Sequence, residues 1–396
     1  RGLGDVYKRQ AEACVGSKYA YYVGWFLTII YYPCLTSVLS WLSARYTLVF
    51  ITSIAPDFPL LGLGAAAGAE TVLGPECMSL AMFYMCCAYA VNALSPKLAG
   101  KLQVSTTIIK LIPLFLMAIV GIVVGIANGT LANNFNTLAD VGTTSTSPLF
   151  ASVCATAFAY EGWIIATSIN AELKDAKKNL PRALVIGAII IIATYIFYYV
   201  GVAGGATNQE LIDSGATVAF INVFGNVLGN ILNLFIAISC IGTMNGLMLG
   251  CVRGLYSIAV RGRGPAPHVF SQIDKETNMP HNSAIVGLLL CGFWGLYFFL
   301  ANLAGTWSGP FVFDSSELPI ITIYMLYLPI FVMWIKKATD ETAMRRYVLP
   351  LLAICGSLFM IYASIMGHGI ACFWYLIVFA AVMAVGFAFS KEKPIN

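Results

Sequence analysis

Charge is what this sequence is short of. Only 10% of its 396 residues are Asp, Glu, Lys or Arg, and 59% are hydrophobic, whereas an ordinary soluble domain carries about 25% charged residues. Mean hydropathy is +0.82. Soluble α/β enzymes of this length are excluded, because their surface helices need a charged face and almost no segment here supplies one. A transmembrane β-barrel is excluded as well. Barrel strands are about ten residues long and alternate polar with apolar, whereas the stretch between Arg346 and Lys391 runs 44 residues without a charge.

Other absences narrow the function. There are three histidines, His268, His281 and His368, and none has a ligand partner at metal spacing, so no metal and no cofactor is assigned. Gly262-Arg263-Gly264 lies in a basic loop without the strand and helix that a phosphate-binding loop requires. No His/Asp/Glu cluster converges within the apolar segments, which argues against an enzyme. The net charge of +4 is too small to argue for nucleic acid. Arg1 to Gln10 is polar and has no apolar h-region, so no secretory leader is read there. The eleven cysteines lie almost entirely in apolar runs, Cys86 and Cys87 among them. They read as small core residues.

What remains is an all-α integral membrane protein. A bilayer core of about 30 Å needs roughly 20 apolar residues per helix, and cutting the chain at its charged clusters leaves about 10 spans: 19–43, 77–95, 105–127, 148–171, 183–205, 227–257, 284–303, 318–335, 348–366 and 371–390. Residues 52–69 are Gly- and Pro-rich and read as a re-entrant or surface segment. Pro33 and Pro113 are expected to mark kinks. If the chain begins in the cytoplasm, 20 of its 22 Lys and Arg residues fall on the cytoplasmic side. Arg45 falls outside and Lys110 within a span, while eight acids from Asp57 to Glu317 lie on the outer side. The positive-inside rule then predicts a multi-pass protein of the cell membrane, embedded in the lipid bilayer, with both termini cytoplasmic.

Polar groups at bilayer depth cost several kcal/mol unless paired or hydrated. Two ionisable ones stand out. Lys110 lies in TTIIKLIPLFL and either snorkels to the basic interface or serves a site within the bundle. Glu161 interrupts an apolar span at FAYEGW and either caps a broken helix or contributes to a ligand site. The small residues before it and Gly162 after it suggest two half-helices around a flexible centre. Unwound backbone at that depth is tolerated only where it is buried in protein or lines a cavity, and secondary transporters place their substrates at such breaks. A kink with no ligand is the plainer alternative. Ser239, Thr243 and Asn245, with Gly242 and Gly246, form a polar stripe in SCIGTMNGLML that serves either helix packing or a pocket.

These stretches carry a resemblance. GWFLTIIYYPCLTSVLSWLSARY, LAGKLQVSTTIIKLIPL, FAYEGWIIATSINAELKDAKKNLPRA and GTMNGLMLGCVRGLYSIAVRGRGP resemble, in this order, the third, fifth, sixth and eighth helices of amino acid permeases of the amino acid-polyamine-organocation (APC) superfamily. The branch of L-type transporters and serine/threonine exchangers is the most similar. FAY-acid-GW is the most specific part. The resemblance implies the leucine-transporter-like inverted-repeat fold, with family helices 3 to 12 present and the first two missing. In that reading 1–18 is a cytoplasmic segment, of which 1–10 matches nothing in the family pattern. Residues 19–127 hold the rest of the first repeat (family helices 3–5), 148–335 the second (helices 6–10), 346–390 two C-terminal helices and 391–396 a cytoplasmic tail. Loss of the first helix, which carries half of the family's substrate site, would leave substrate binding by this chain in question.

Carried over residue by residue, the resemblance implies that backbone groups of Phe158, Ala159 and Glu161 face the substrate amino group, with Phe158 as an aromatic gate. Tyr160, Gly162 and Trp163 would shape the pocket. Lys110 is similar to the fifth-helix lysine that takes the place of a sodium ion, with Ser239 and Thr243 as its eighth-helix neighbours, and a proton-carrying role is the alternative. The expected function is secondary active transport: a sodium-independent permease or exchanger for small neutral amino acids such as serine, threonine or alanine. A polyamine or agmatine antiporter of the same superfamily, a non-transporting membrane subunit and an inactive truncated fragment are the alternatives.

Overall fold

The computed structural model describes residues 11–55, 75–137, 148–160, 162, 175–304, 307 and 309–393. Every regular element among them is helical. Among the described residues, nine helical stretches are long and apolar enough to cross a membrane: Ser17–Ile54, Glu76–Leu94, Lys97–Ala127, Lys178–Gly205, Ala216–Ala259, His281–Leu303, Leu318–Lys337, Met344–His368 and Ile370–Ala388. Pro148–Tyr160 is a shorter apolar helix. Most of the segment 52–69 lies outside the described residues; its start, Thr52 to Ile54, ends the helix Tyr32–Ile54.

The prolines act through the donor they lack. Helix α1, Ser17–Phe26, passes through a π turn at Leu27–Tyr31 into α2, Tyr32–Ile54. Pro33 has no N–H to offer the Ile29 carbonyl four residues earlier. The indole Nε1 of Trp294 donates to that carbonyl instead, at 2.8 Å. Pro113 lies inside α4, Pro96–Leu116, which likewise runs into a π turn, Met117–Gly121, a frequent companion of helix irregularities.

Packing divides the chain into two compact units. The first comprises the described residues of Arg1–Leu35, Thr143–Leu184 and Leu247–Asn396, the second those of Thr36–Gly142 and Val185–Gly246. Each unit takes helices from both 19–127 and 148–335. Within the first, α1 is tied to the last helix by Tyr21 Oη donating to Gly386 O at 2.7 Å and Trp25 Nε1 donating to Val382 O at 2.9 Å. Gly386 lets the Trp25 ring approach: a Cβ there would lie 2.6 Å from it.

Within the second unit, the turn Met117–Gly121 and the helix α5, Ile122–Ala127, lie against α8, Ala176–Gly205. Glycine sets that distance. A Cβ on Gly121 would fall 2.3 Å from Gly201 O, one on Gly201 2.1 Å from Met117 O, and one on Gly204 2.2 Å from Gly121 O. GIVVG, Gly121 to Gly125, is thus a small-xxx-small seam of the kind that packs membrane helices. Met117, Val202, Ala206, Ala219, Phe220 and Leu232 form the adjoining core.

The outward faces explain a correction. Cys86, Cys87 and Cys355 are exposed, whereas Cys34, Cys77, Cys154, Cys251, Cys291 and Cys372 are buried. Reading cysteines in apolar runs as core residues fails for the first three, because a helix facing lipid is as apolar outside as inside. The same holds for α8, whose Ile186, Ile189, Ile196 and Phe197 are all exposed.

Candidate functional site

The break expected near Glu161 begins with a short helix. α7, Pro148–Tyr160, has 13 residues, about 20 Å at 1.5 Å per residue, which is too short for a bilayer core of about 30 Å. Its described residues end at Tyr160, and Gly162 has φ 120°, a conformation that glycine adopts without steric cost. The C-terminal turn at Phe158, Ala159 and Tyr160 carries the negative pole of α7, the end that suits a cation. Phe158 is half-buried, and Ala159 and Tyr160 are exposed. Glu161 and Trp163 lie outside the described residues.

The preceding turns of α7, up to its middle at Cys154, are held by packing. Cys154 is fully buried with Ile321 and Ala363, and Phe150 and Val153 pack against them. These partners belong to α13, Leu318–Lys337, and α14, Leu349–His368. The Phe150 ring meets Tyr362 edge-on, with centroids 5.3 Å apart and planes at 87°. Close approach of α14 needs Gly367, where a Cβ would lie 3.1 Å from Ala151 N.

Lys110 stands in a second locus, on α4 where it crosses α10, Ala216–Ala259. Thr106 fits against Gly242, at which a Cβ would meet Thr106 Oγ1 at 2.2 Å, and Gln103 lies against Gly246, with Oε1 at 3.3 Å from such a Cβ. The pairings 103 with 246 and 106 with 242 run antiparallel. Lys110 lies one further turn along α4 and Ser239 one further turn along α10 in the opposite sense, each at the spacing that keeps it on the face of these pairings. Both are half-buried, and Lys110 makes no ion pair among the described residues. Thr243 is off this face: it is exposed and its hydroxyl donates to Ser239 O at 3.1 Å.

Asn245 is a packing residue. It is 5% exposed, and its Nδ2 donates to Ala99 O at 3.2 Å. It also accepts from Asn92 Nδ2 at Oδ1, 2.8 Å, and at its backbone carbonyl, 3.1 Å. It therefore pins α3, Pro75–Leu94, and the start of α4 to α10. Asn92 Oδ1 and Gln103 Oε1 are buried beside this pin without a hydrogen-bond partner among the described residues, acceptors of the sort that ordered water or a ligand satisfies.

One grouping was invisible at the level of spacing. His368 Nε2 and Glu317 Oε2 are 2.9 Å apart, and Cys154 joins them from α7. The three are far apart in sequence, and only the packing of α7 on α13 and α14 unites them.

The comparisons with known proteins agree on the family. The profile of the amino acid permease family matches residues 7–389. The serine/threonine exchanger SteT of Bacillus subtilis is 26% identical over 393 residues, covering 96% of this chain and 81% of that protein. Asc-type amino acid transporter 1 of Mus musculus is 29% identical over 272 residues, 67% of this chain and 47% of its own length. The human cystine/glutamate transporter is 25% identical over 265 residues, 66% of this chain and 49% of its own. The chain thus spans about half the length of these last two relatives. A family match over nearly the whole chain, together with an all-helical fold of membrane-length apolar helices, makes this protein a member of the amino acid permease family of the APC superfamily, a multi-pass membrane transporter of amino acids and not an enzyme.

Proposed function

We propose that the protein is a sodium-independent exchanger of small neutral amino acids that works by alternating access in the inverted-repeat fold. The observation that carries this reading is Lys110. In this reading Lys110, one turn beyond the Thr106–Gly242 contact, presents its ammonium toward the half-buried Ser239 of α10, and a fixed positive charge takes over the work of a bound sodium ion. The end of α7 supports the reading: its negative pole at Phe158 to Tyr160 favours a substrate ammonium, and Gly162 lets the chain turn away. In the same reading Glu161 and Trp163 complete the pocket, and Thr243 steadies Ser239 through its carbonyl. The substrate class follows the serine/threonine exchanger SteT, which aligns over 96% of this chain. The distribution of 20 of 22 basic residues supports cytoplasmic termini in the cell membrane.

The test is counterflow in liposomes. Labelled serine, threonine or alanine is expected to enter proteoliposomes preloaded with unlabelled substrate, at equal rates in sodium and choline buffers. Lys110→Ala is expected to abolish it. Uptake that requires sodium, or that survives Lys110→Ala unchanged at every pH, would sink the proposal.

A further inference from the structure

The sulfur of Cys154, a carboxylate oxygen of Glu317 and an imidazole nitrogen of His368 all lie within 4.8 Å of one another. They come from three elements: the middle of α7, the residue capping the N-terminus of α13 and the C-terminal end of α14. Cys154 is fully buried, and its thiol makes no hydrogen bond among the described residues. Glu317 and His368 side chains are 19% and 16% exposed, so these two donors are the accessible ones of the three.

The surrounding structure holds the three in place. Asp314 Oδ1 accepts the backbone N–H groups of Ser316 at 2.7 Å and Glu317 at 2.8 Å, which fixes the turn from which the Glu317 side chain departs. Gly367 permits the approach of α14 to Ala151 and so carries His368 toward Cys154.

We propose that Cys154, Glu317 and His368 form a binding site for a divalent transition metal of the zinc type, with a fourth position left to water. The donor set makes the choice. A thiolate and an imidazole favour zinc-like ions, whereas magnesium and calcium take oxygen ligands. Tetrahedral zinc with ligand bonds of about 2.0–2.3 Å has ligand-to-ligand edges of roughly 3.3–3.8 Å. The His368–Glu317 pair at 2.9 Å then opens by a few tenths of an ångström, and contacts at the 4.8 Å limit close by about 1 Å, within the reach of side-chain adjustment. Binding expels the thiol proton, and any proton held between His368 and Glu317, to solvent. The thiolate and the carboxylate then balance the two positive charges of the ion, which suits a half-buried site.

The experiment uses the purified full chain in detergent, titrated first with Co²⁺ and then with Zn²⁺. The expected result is one cobalt per chain, a thiolate-to-cobalt charge-transfer band, and its removal by zinc. The band should vanish in Cys154→Ser and weaken at least tenfold in apparent affinity in Glu317→Gln and His368→Asn, while Cys86→Ser with Cys87→Ser leaves it unchanged. Zinc should also raise the unfolding midpoint of the wild type and not of these three site variants. If Cys154→Ser fails to fold, the two half-buried variants report on the same band. Absence of a thiolate-to-cobalt band, or its persistence at full strength in Cys154→Ser or in both Glu317→Gln and His368→Asn, overturns the site.

Discussion

Replacing Gly201 by Ala tests how closely two membrane helices are packed. The added methyl group would sit 2.1 Å from Met117 O, 2.8 Å from Met117 C and 3.1 Å from Ala118 Cα. All three are backbone atoms, so no side chain can swing aside. To reach ordinary contact the Met117–Ala127 segment and α8 must part by roughly 1 Å, a gap that forfeits a quarter to a half of each dispersion contact along the seam. Overpacking of this kind costs about 1–3 kcal/mol. At roughly 2 °C per kcal/mol, the unfolding midpoint in detergent should fall by about 2–6 °C. Gly187→Ala on the same helix is the control, because nothing lies within 4 Å of its added Cβ, and there alanine should be neutral or slightly stabilising. Gly121→Ala, blocked by Gly201 O at 2.3 Å, should behave like Gly201→Ala. Equal midpoints for Gly201→Ala and Gly187→Ala would refute the reasoning.

Other perturbations read other contacts. Trp294→Phe keeps the ring but removes the donor to Ile29 O, leaving a carbonyl that Pro33 cannot serve, and should cost about 1–3 kcal/mol, seen as a lower unfolding midpoint. Arg263 donates to Glu392 Oε1 at 2.6 Å and to Ser17 O at 3.2 Å, beside a cavity of about 230 Å³ lined by Glu12, Tyr21 and Ile258. Arg263→Ala should free the C-terminal tail and speed tryptic cleavage at Lys391, whereas Glu392→Gln, on an exposed partner, should change the rate little. In the loop before α12, His281–Tyr297, the Thr277 backbone N–H and then its hydroxyl hold the Asp274 carboxyl below the usual carboxylate range. A lowered folded-state pKa means stabilisation that is present above the ordinary carboxylate value and lost as pH falls through the lowered one. Amide exchange at Glu276 and Thr277, corrected for its intrinsic pH dependence, should therefore accelerate only below that ordinary value, and Asp274→Ala should show the faster exchange at neutral pH.

Composition and local pattern determined a good deal about this protein. Few charges and long apolar runs compel membrane helices, because only a helix satisfies its own backbone in lipid, and FAYEGW marks where the fourth of the expected spans, 148–171, is interrupted. Element ends were less legible. The span read as 19–43 runs on to Ile54, since apolar sequence does not mark where a helix leaves the bilayer, whereas the start read at 227 follows directly on the non-helical turn at Gly225, φ 78° and ψ 169°, that divides the stretch Ala216–Ala259. Orientation of side chains within a span was not legible at all. Lipid and protein core are both apolar, so nothing local separated the exposed Cys86 and Cys87 from the buried Cys154. Tertiary packing alone decided that Gly121 meets Gly201, that Trp294 supplies the donor Pro33 lacks, and that Cys154, Glu317 and His368 converge. Each joins residues distant in the chain, and it is the close approach of helices through glycine that brings them within bonding reach.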